Sequence, residues 1–138
     1  MNQEVKRLWV EALRSGEYEQ GTGDLRTGTR TFCCLGVLCD IYHKQTGLGS
    51  WDVLSNRFYL NDGVQDYVDQ ELPHAVIDWS GVEDEAVTLT ITDEELYRLT
   101  GRSRNELSMP PEKDPNLIDL NDNGVDFEAI ARVIEEAL

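Results

Sequence analysis

The sequence predicts a single α+β domain with helices at both termini and a small, mainly antiparallel sheet. Three observations lead there. Capped stretches near each end carry apolar residues at helical spacing, Val87–Ile91 alternates with the two-residue period of a strand, and glycine-containing turns separate short runs rich in threonine and aromatics. At 138 residues and 15.7 kDa the chain suits one core rather than two.

The elements follow in order. Val5, Leu8, Trp9, Ala12 and Leu13 form one helical stripe, and Gly16 supplies its stop. Residues 21–31 are rich in glycine and threonine, and Gly28-Thr29 is placed to turn a short hairpin between Leu25–Thr27 and Arg30–Phe32. A second helix is expected from about Cys33 to Lys44, with Cys34, Val37, Leu38 and Ile41 on its apolar face. Gly36 inside it costs about 1 kcal/mol against alanine unless another element packs closely there.

Arg57–Leu60, the Asn61-Asp62-Gly63 turn and Val64–Val68 suggest a second hairpin. Leu72-Pro73 opens a short helix ended near Gly81, and Val87, Leu89 and Ile91 read as a half-buried strand. Thr92 and Glu95 make a capping box for a helix ended at Gly101. A loop is expected around Met109-Pro110-Pro111, and the last helix starts near Asp126. The predicted core is Val5, Leu8, Trp9, Leu13, Cys34, Val37, Leu38, Ile41, Leu89, Ile91, Leu96, Phe127, Ile130 and Ile134.

The formal net charge is −15, and it is unevenly spread. Residues 1–51 are neutral, residues 52–95 hold twelve acids and only Arg57 as a base, and residues 96–138 carry −4. Such a field repels a nucleic-acid backbone or an anionic membrane, and no apolar run reaches the roughly 20 residues of a membrane helix. The opening residues lack the apolar core of a secretory signal, so an intracellular protein is expected. The acidic middle is a solvated face or a surface for a basic partner, with Glu83, Asp84 and Glu85 at its centre.

Cys33, Cys34 and Cys39 sit within seven residues, an odd number that argues for reduced thiols. With no C-x-x-C pair a zinc site is not expected, and core packing is the simpler role. A thiol enzyme would need His43 or His74 as base, and His43 is at the far end of the same helix. Asp119–Gly124 imitates half of an EF-hand loop, but Ile130 stands where its bidentate glutamate belongs, so a polar turn is expected. No catalytic residue, metal or cofactor is assigned.

Two basic islands interrupt the acidic background. Arg26 and Arg30, with the hydroxyls of Thr27, Thr29 and Thr31, precede the second helix, where free backbone N–H groups suit a small anion. Arg98, Arg102 and Arg104 surround the end of the capped helix. A phosphorylated small molecule, such as a nucleotide signal, is one expected ligand, although no P-loop or dinucleotide fingerprint is present.

Trp9–Gln20, Phe32–Asp40 and Leu120–Ala131 together resemble a group of small accessory proteins carried by tailed phages and prophages. Phe32-Cys-Cys-Leu-Gly-Val-Leu-Cys-Asp40 is the most specific of the three segments. The resemblance implies a protein made in the host bacterial cytoplasm that acts on the host by binding, and it brings no catalytic residue. Three expectations result: a stoichiometric binder of a basic host protein, with a defence component as the expected target; a sequestering module for a phosphorylated ligand; and a cysteine-dependent enzyme.

Overall fold

In the computed structural model, which describes residues 1–60 and 66–138, a central helix is enclosed by shorter elements from both ends of the chain. The helices are α1 (Gln3–Arg14), α2 (Cys34–Thr46), α3 (His74–Ser80), α4 (Asp93–Thr100), α5 (Leu117–Asp122) and α6 (Phe127–Ala137). The strands are β1 (Glu19–Gln20), β2 (Thr31–Phe32), β3 (Ser50–Asp52), β4 (Arg57–Tyr59) and β5 (Tyr67–Val68). The protein is therefore a single small α+β domain with helices near both termini and a small antiparallel sheet, β3-β4-β5.

Caps set the helix boundaries. Asn2 accepts from Val5 N at α1, Asp126 from Ala129 N at α6, and Thr92 and Glu95 form a reciprocal capping box at α4. Left-handed Gly47, Gly81 and Gly101 close α2, α3 and α4. In α2 every residue from Cys34 to Cys39 is buried, as befits a helix with neighbours on all sides: α1, α3, α5 and β2 pack on it, while α6 covers α1, α4 and α5. Gly36 allows the closest of these approaches. A Cβ there would lie 1.8 Å from the Leu25 carbonyl oxygen, so the Gly/Thr loop rests directly on the helix backbone.

The first expected hairpin survives as an antiparallel bridge between Arg26 and Phe32, with Thr27 N donating to Thr31 O at 2.8 Å. Its second arm makes a further pairing that the sequence did not announce. β2 runs parallel to β1, with Glu19 opposite Thr31 and Gln20 opposite Phe32. In the second hairpin Phe58 pairs with both Trp51 and Val68; the turn Asn61-Asp62-Gly63 and Val64 lie outside the described residues.

Two expectations need correction. Val87–Ile91 alternates in burial but is not a strand: Val87 adopts φ 56°, which breaks the extended run, and only Thr88 bridges to Asn116. Leu89 N bonds Pro115 O instead of a neighbouring strand. The polar turn at 119–124 is mostly helix α5, started by Asn116, whose side chain accepts from Asp119 N. The predicted core residues are buried except Leu8 and Ile91, which are partly buried and packed against the core. Edge-to-face ring contacts link Tyr18, Phe32 and Trp51, and Trp51, Phe58, Tyr42 and Trp79 continue the chain to α3.

Candidate functional site

Arg26, Thr29 and Arg30 converge with Tyr18, Asp40 and Lys44 on one polar cavity of about 190 Å³ between the Gly/Thr loop and α2. Asp40 is its hub. Its Oδ2 accepts from Tyr18 Oη at 2.5 Å and pairs with Lys44 Nζ at 3.1 Å, while Oδ1 accepts from Trp51 Nε1 at 3.1 Å. Lys44 also donates to Tyr18 Oη at 3.1 Å and lies over that ring. Burial, reinforced by the hydrogen bond to Asp40, pushes the Tyr18 phenol up to about 12, although Lys44 opposes the shift. Donation to Tyr18 and contact with Asp40 in turn raise the Lys44 ammonium, against a smaller opposing effect of burial.

Arg26 is unlike the other arginines. It is only 9% exposed, its guanidinium lies 5.2 Å from the Phe32 ring centre and 5.5 Å from that of Trp51, and Nε and Nη2 donate to Gly28 O and Thr29 O. Arg30 is exposed and makes only long contacts, 3.3–3.4 Å, to the Gly16 and Glu17 carbonyls. Thr27 is exposed, and Thr31 Oγ1 reaches Glu19 at 3.4 Å.

The anion seat expected at the start of α2 is already filled from within. Asn121 Oδ1 accepts from Cys34 N at 3.1 Å and Cys33 Sγ from Gly36 N at 3.4 Å. The second basic island does not join the first. Arg98 pairs with Glu136 on α6, Arg102 Nη1 donates to Asn123 O, and Arg104 ties Asp93 to the carbonyls of Pro110 and Lys113.

Sequence reasoning missed Tyr18, Asp40, Lys44 and Trp51 as members of this site. One signal was available: Asp40 is the single charge closing the apolar run Phe32–Cys39, and Lys44 follows it by one helical turn.

The thiols lie beneath the site, in the core. Burial pushes Cys33 up to about 11, with the Asp122 charge adding to it and the Gly36 and Leu35 amides opposing. Cys34 and Cys39 are fully buried and raised well above the ordinary 9.0, first by desolvation. Thiolate is therefore scarce in the native state at neutral pH. Cys33 has a further role as the N-cap of α2. Cys33→Ser should stay within about 0.5 kcal/mol of wild type because serine caps well, whereas Cys39→Ser should cost about 1–3 kcal/mol in urea unfolding. Equal losses for both would count against the capping role.

A pH dependence accompanies these shifts. Cys33 and Tyr18 both have folded values above the ordinary 9.0 and 10.0, so their contribution is complete below those values and is lost as pH rises toward about 11 and 12. The urea midpoint should fall steadily across that alkaline window. A flat profile there would refute the burial assigned to both groups.

Around the acidic middle the arrangement is the reverse. Ion pairs among the described residues engage Glu4, Glu11, Asp40, Asp93, Asp119, Glu128, Glu135 and Glu136; residues 52–92 contribute none. Glu71, Asp78, Glu83 and Glu85 are exposed around α3, and Leu72 N bonds Glu85 O, which holds the two flanks of that helix together. Asp84 is different: its Oδ1 accepts from Ala86 N at 3.0 Å and Thr88 N at 3.1 Å. Burial would raise its carboxyl, but hydrogen bonds from Thr88 and from backbone amides outweigh this and hold it below the ordinary value.

Fold and surface together define a small α+β domain whose arginines are largely turned to internal contacts and whose acids face outward. Residues 1–138 match the family described as a domain of unknown function, DUF8296, and the protein belongs to that family. No curated protein and no solved structure matches the chain. Among the described residues no helix is long and apolar enough to cross a membrane, and no group of three or more His, Cys, Asp or Glu is placed to hold a metal ion.

Proposed function

We propose that this is a phage-type accessory protein that works in the host bacterial cytoplasm by stoichiometric binding to a host protein with a basic surface, a defence component being the proposed target. The acidic face around α3 carries the reading. Its exposed Glu71, Asp78, Glu83 and Glu85 are not neutralised by an ion pair among the described residues, whereas eight acids elsewhere in the chain are paired. Exposed like charges gathered on one face add little to folding, and they steer a basic partner toward it. The resemblance of Trp9–Gln20, Phe32–Asp40 and Leu120–Ala131 to phage accessory proteins supports the setting.

The test is charge reversal at positions that fold can spare. Asp84 organises its own turn and is left alone. Glu83→Lys with Glu85→Lys should slow association with a host protein captured by the wild type by about tenfold at low salt, with the melting temperature hardly moved. Raising salt should weaken the wild type more than the variant, since screening removes what the mutation has already removed. Unchanged association at low salt would reject the acidic face.

A further inference from the structure

We propose that the cavity between the Gly/Thr loop and α2 binds the phosphate group of a phosphomonoester, held by Arg26, Arg30 and Lys44. The site differs from the acidic face and does not depend on it. Its starting point is the state of Arg26, a residue only 9% exposed, with two of its three guanidinium nitrogens spent on carbonyl oxygens. Nη1 makes no hydrogen bond among the described residues. Every fully buried polar side-chain atom among them has a partner, so Nη1 is reached from the cavity that Arg26 lines. Nη1 is therefore open to solvent, and its N–H donors are free to meet an anion that enters the cavity.

The walls supply the rest of an oxyanion site. Arg30 is loosely held and Lys44 presents an ammonium, so three cations surround a space in a chain of net charge −15. Asp40 and Glu17 are the opposing acids; both oxygens of Asp40 are already occupied by Tyr18, Trp51 and Lys44, and Glu17 is exposed at the rim. Thr29 also lines the space.

Geometry separates phosphate from carboxylate. Arg26 has given its Nε–Nη2 edge to the Gly28 and Thr29 carbonyls, so a ligand meets it only from the Nη1 side. A tetrahedral anion can take single bonds from three cations at different angles. The cavity is small and open to solvent: about 190 Å³ is below the usual range for a whole small-molecule ligand. The phosphate enters, and the remainder of the molecule lies outside, beside the Tyr18 ring.

Trp51 provides a local reporter, since its indole N–H donates to Asp40, while the indoles of Trp9 and Trp79 serve as internal controls. Phenyl phosphate titrated at moderate salt should shift the Trp51 indole NMR signal saturably and leave the Trp9 signal in place. Inorganic phosphate should bind more weakly, and acetate at matched ionic strength should produce no saturable shift. Arg30→Gln and Lys44→Gln, both at exposed positions, should each weaken phenyl phosphate by about tenfold, with Arg98→Gln unchanged. Absence of saturable binding, equal loss in Arg98→Gln, or acetate binding as tightly as phenyl phosphate would overturn the site. Inorganic phosphate binding as tightly as phenyl phosphate would overturn the monoester assignment.

Discussion

Gly36→Ala is expected to cost about 3–5 kcal/mol, a large share of the roughly 5–15 kcal/mol that holds a domain of this size together. The added methyl would lie 1.8 Å from the Leu25 carbonyl oxygen, 2.7 Å from its carbon and 3.2 Å from its Cα, all backbone atoms that cannot rotate aside. Relief requires the Gly/Thr loop to lift off α2. That motion would break the bond from Cys33 N to Leu25 O and disturb the neighbouring bond from Leu25 N to Asp69 O. Ordinary helix propensity would favour alanine by about 1 kcal/mol, so the sign of the result is decisive. A urea midpoint at or above that of wild type would show that the loop does not sit where described.

Asn121→Leu should be of similar severity, about 3–5 kcal/mol, at nearly constant side-chain volume. Asn121 is 1% exposed, and it joins three parts of the molecule. Its Oδ1 accepts from Cys34 N and Gln20 Nε2, and its Nδ2 donates to Gly21 O. Leucine would strand a buried amide, a side-chain amide and a carbonyl, each costing about 1–3 kcal/mol where water cannot replace the partner. Calorimetry would measure it. A melting temperature within a few degrees of wild type would mean that water or a neighbouring side chain takes over all three bonds.

Those two residues also mark how far the sequence could be read. Gly36 stood out as an anomaly inside a helical pattern, and the close approach it required could be stated without knowing which segment approached. Asn121 could not be read, because its partners are 87 and 101 residues away and no local rule connects them. The helices α1, α2, α3, α4 and α6 were legible because each combines a capping residue or an initiating proline with a side-chain pattern along one face. Helix α5 was hidden because it is six residues long and rich in Asp and Asn, which alone favour a turn. Val87–Ile91 misled because burial alternates along it as in a strand, while the φ of Val87 depends on tertiary contacts.

The same division applies to the cavity. Arg26, Thr29 and Arg30 were visible as a basic, hydroxyl-rich loop, but propensity and spacing could not tell that Nε and Nη2 of Arg26 would turn back to their own loop. Nor could they bring Tyr18, Asp40 and Lys44 to it, since Tyr18 arrives through the parallel β1–β2 pairing, which joins segments twelve residues apart. The acidic face was legible as charge. The structure adds that Asp84 belongs to a turn, and so separates it from Glu83 and Glu85.

The ties between the first and last parts of the chain govern when the molecule can form. Arg14 grips Glu128 and Glu135, Gln20 reaches Val125 O, and Gly23 N bonds Asp122, all across about a hundred residues. A ribosome adding roughly 5–20 residues per second finishes the helix that covers α1 about 6–25 seconds after α1 itself has been made. Until α5 is made, α2 can pack only against α1, α3 and β2, and the side of it that α5 covers is open to the medium. Closing so long a loop has to precede the contacts that reward it, so the native state is reached only once α6 has been made. During that wait the −11 segment lies between the two halves that must meet. Like charges of that kind repel one another between chains as well as within one, which opposes association of chains whose two halves have not yet met.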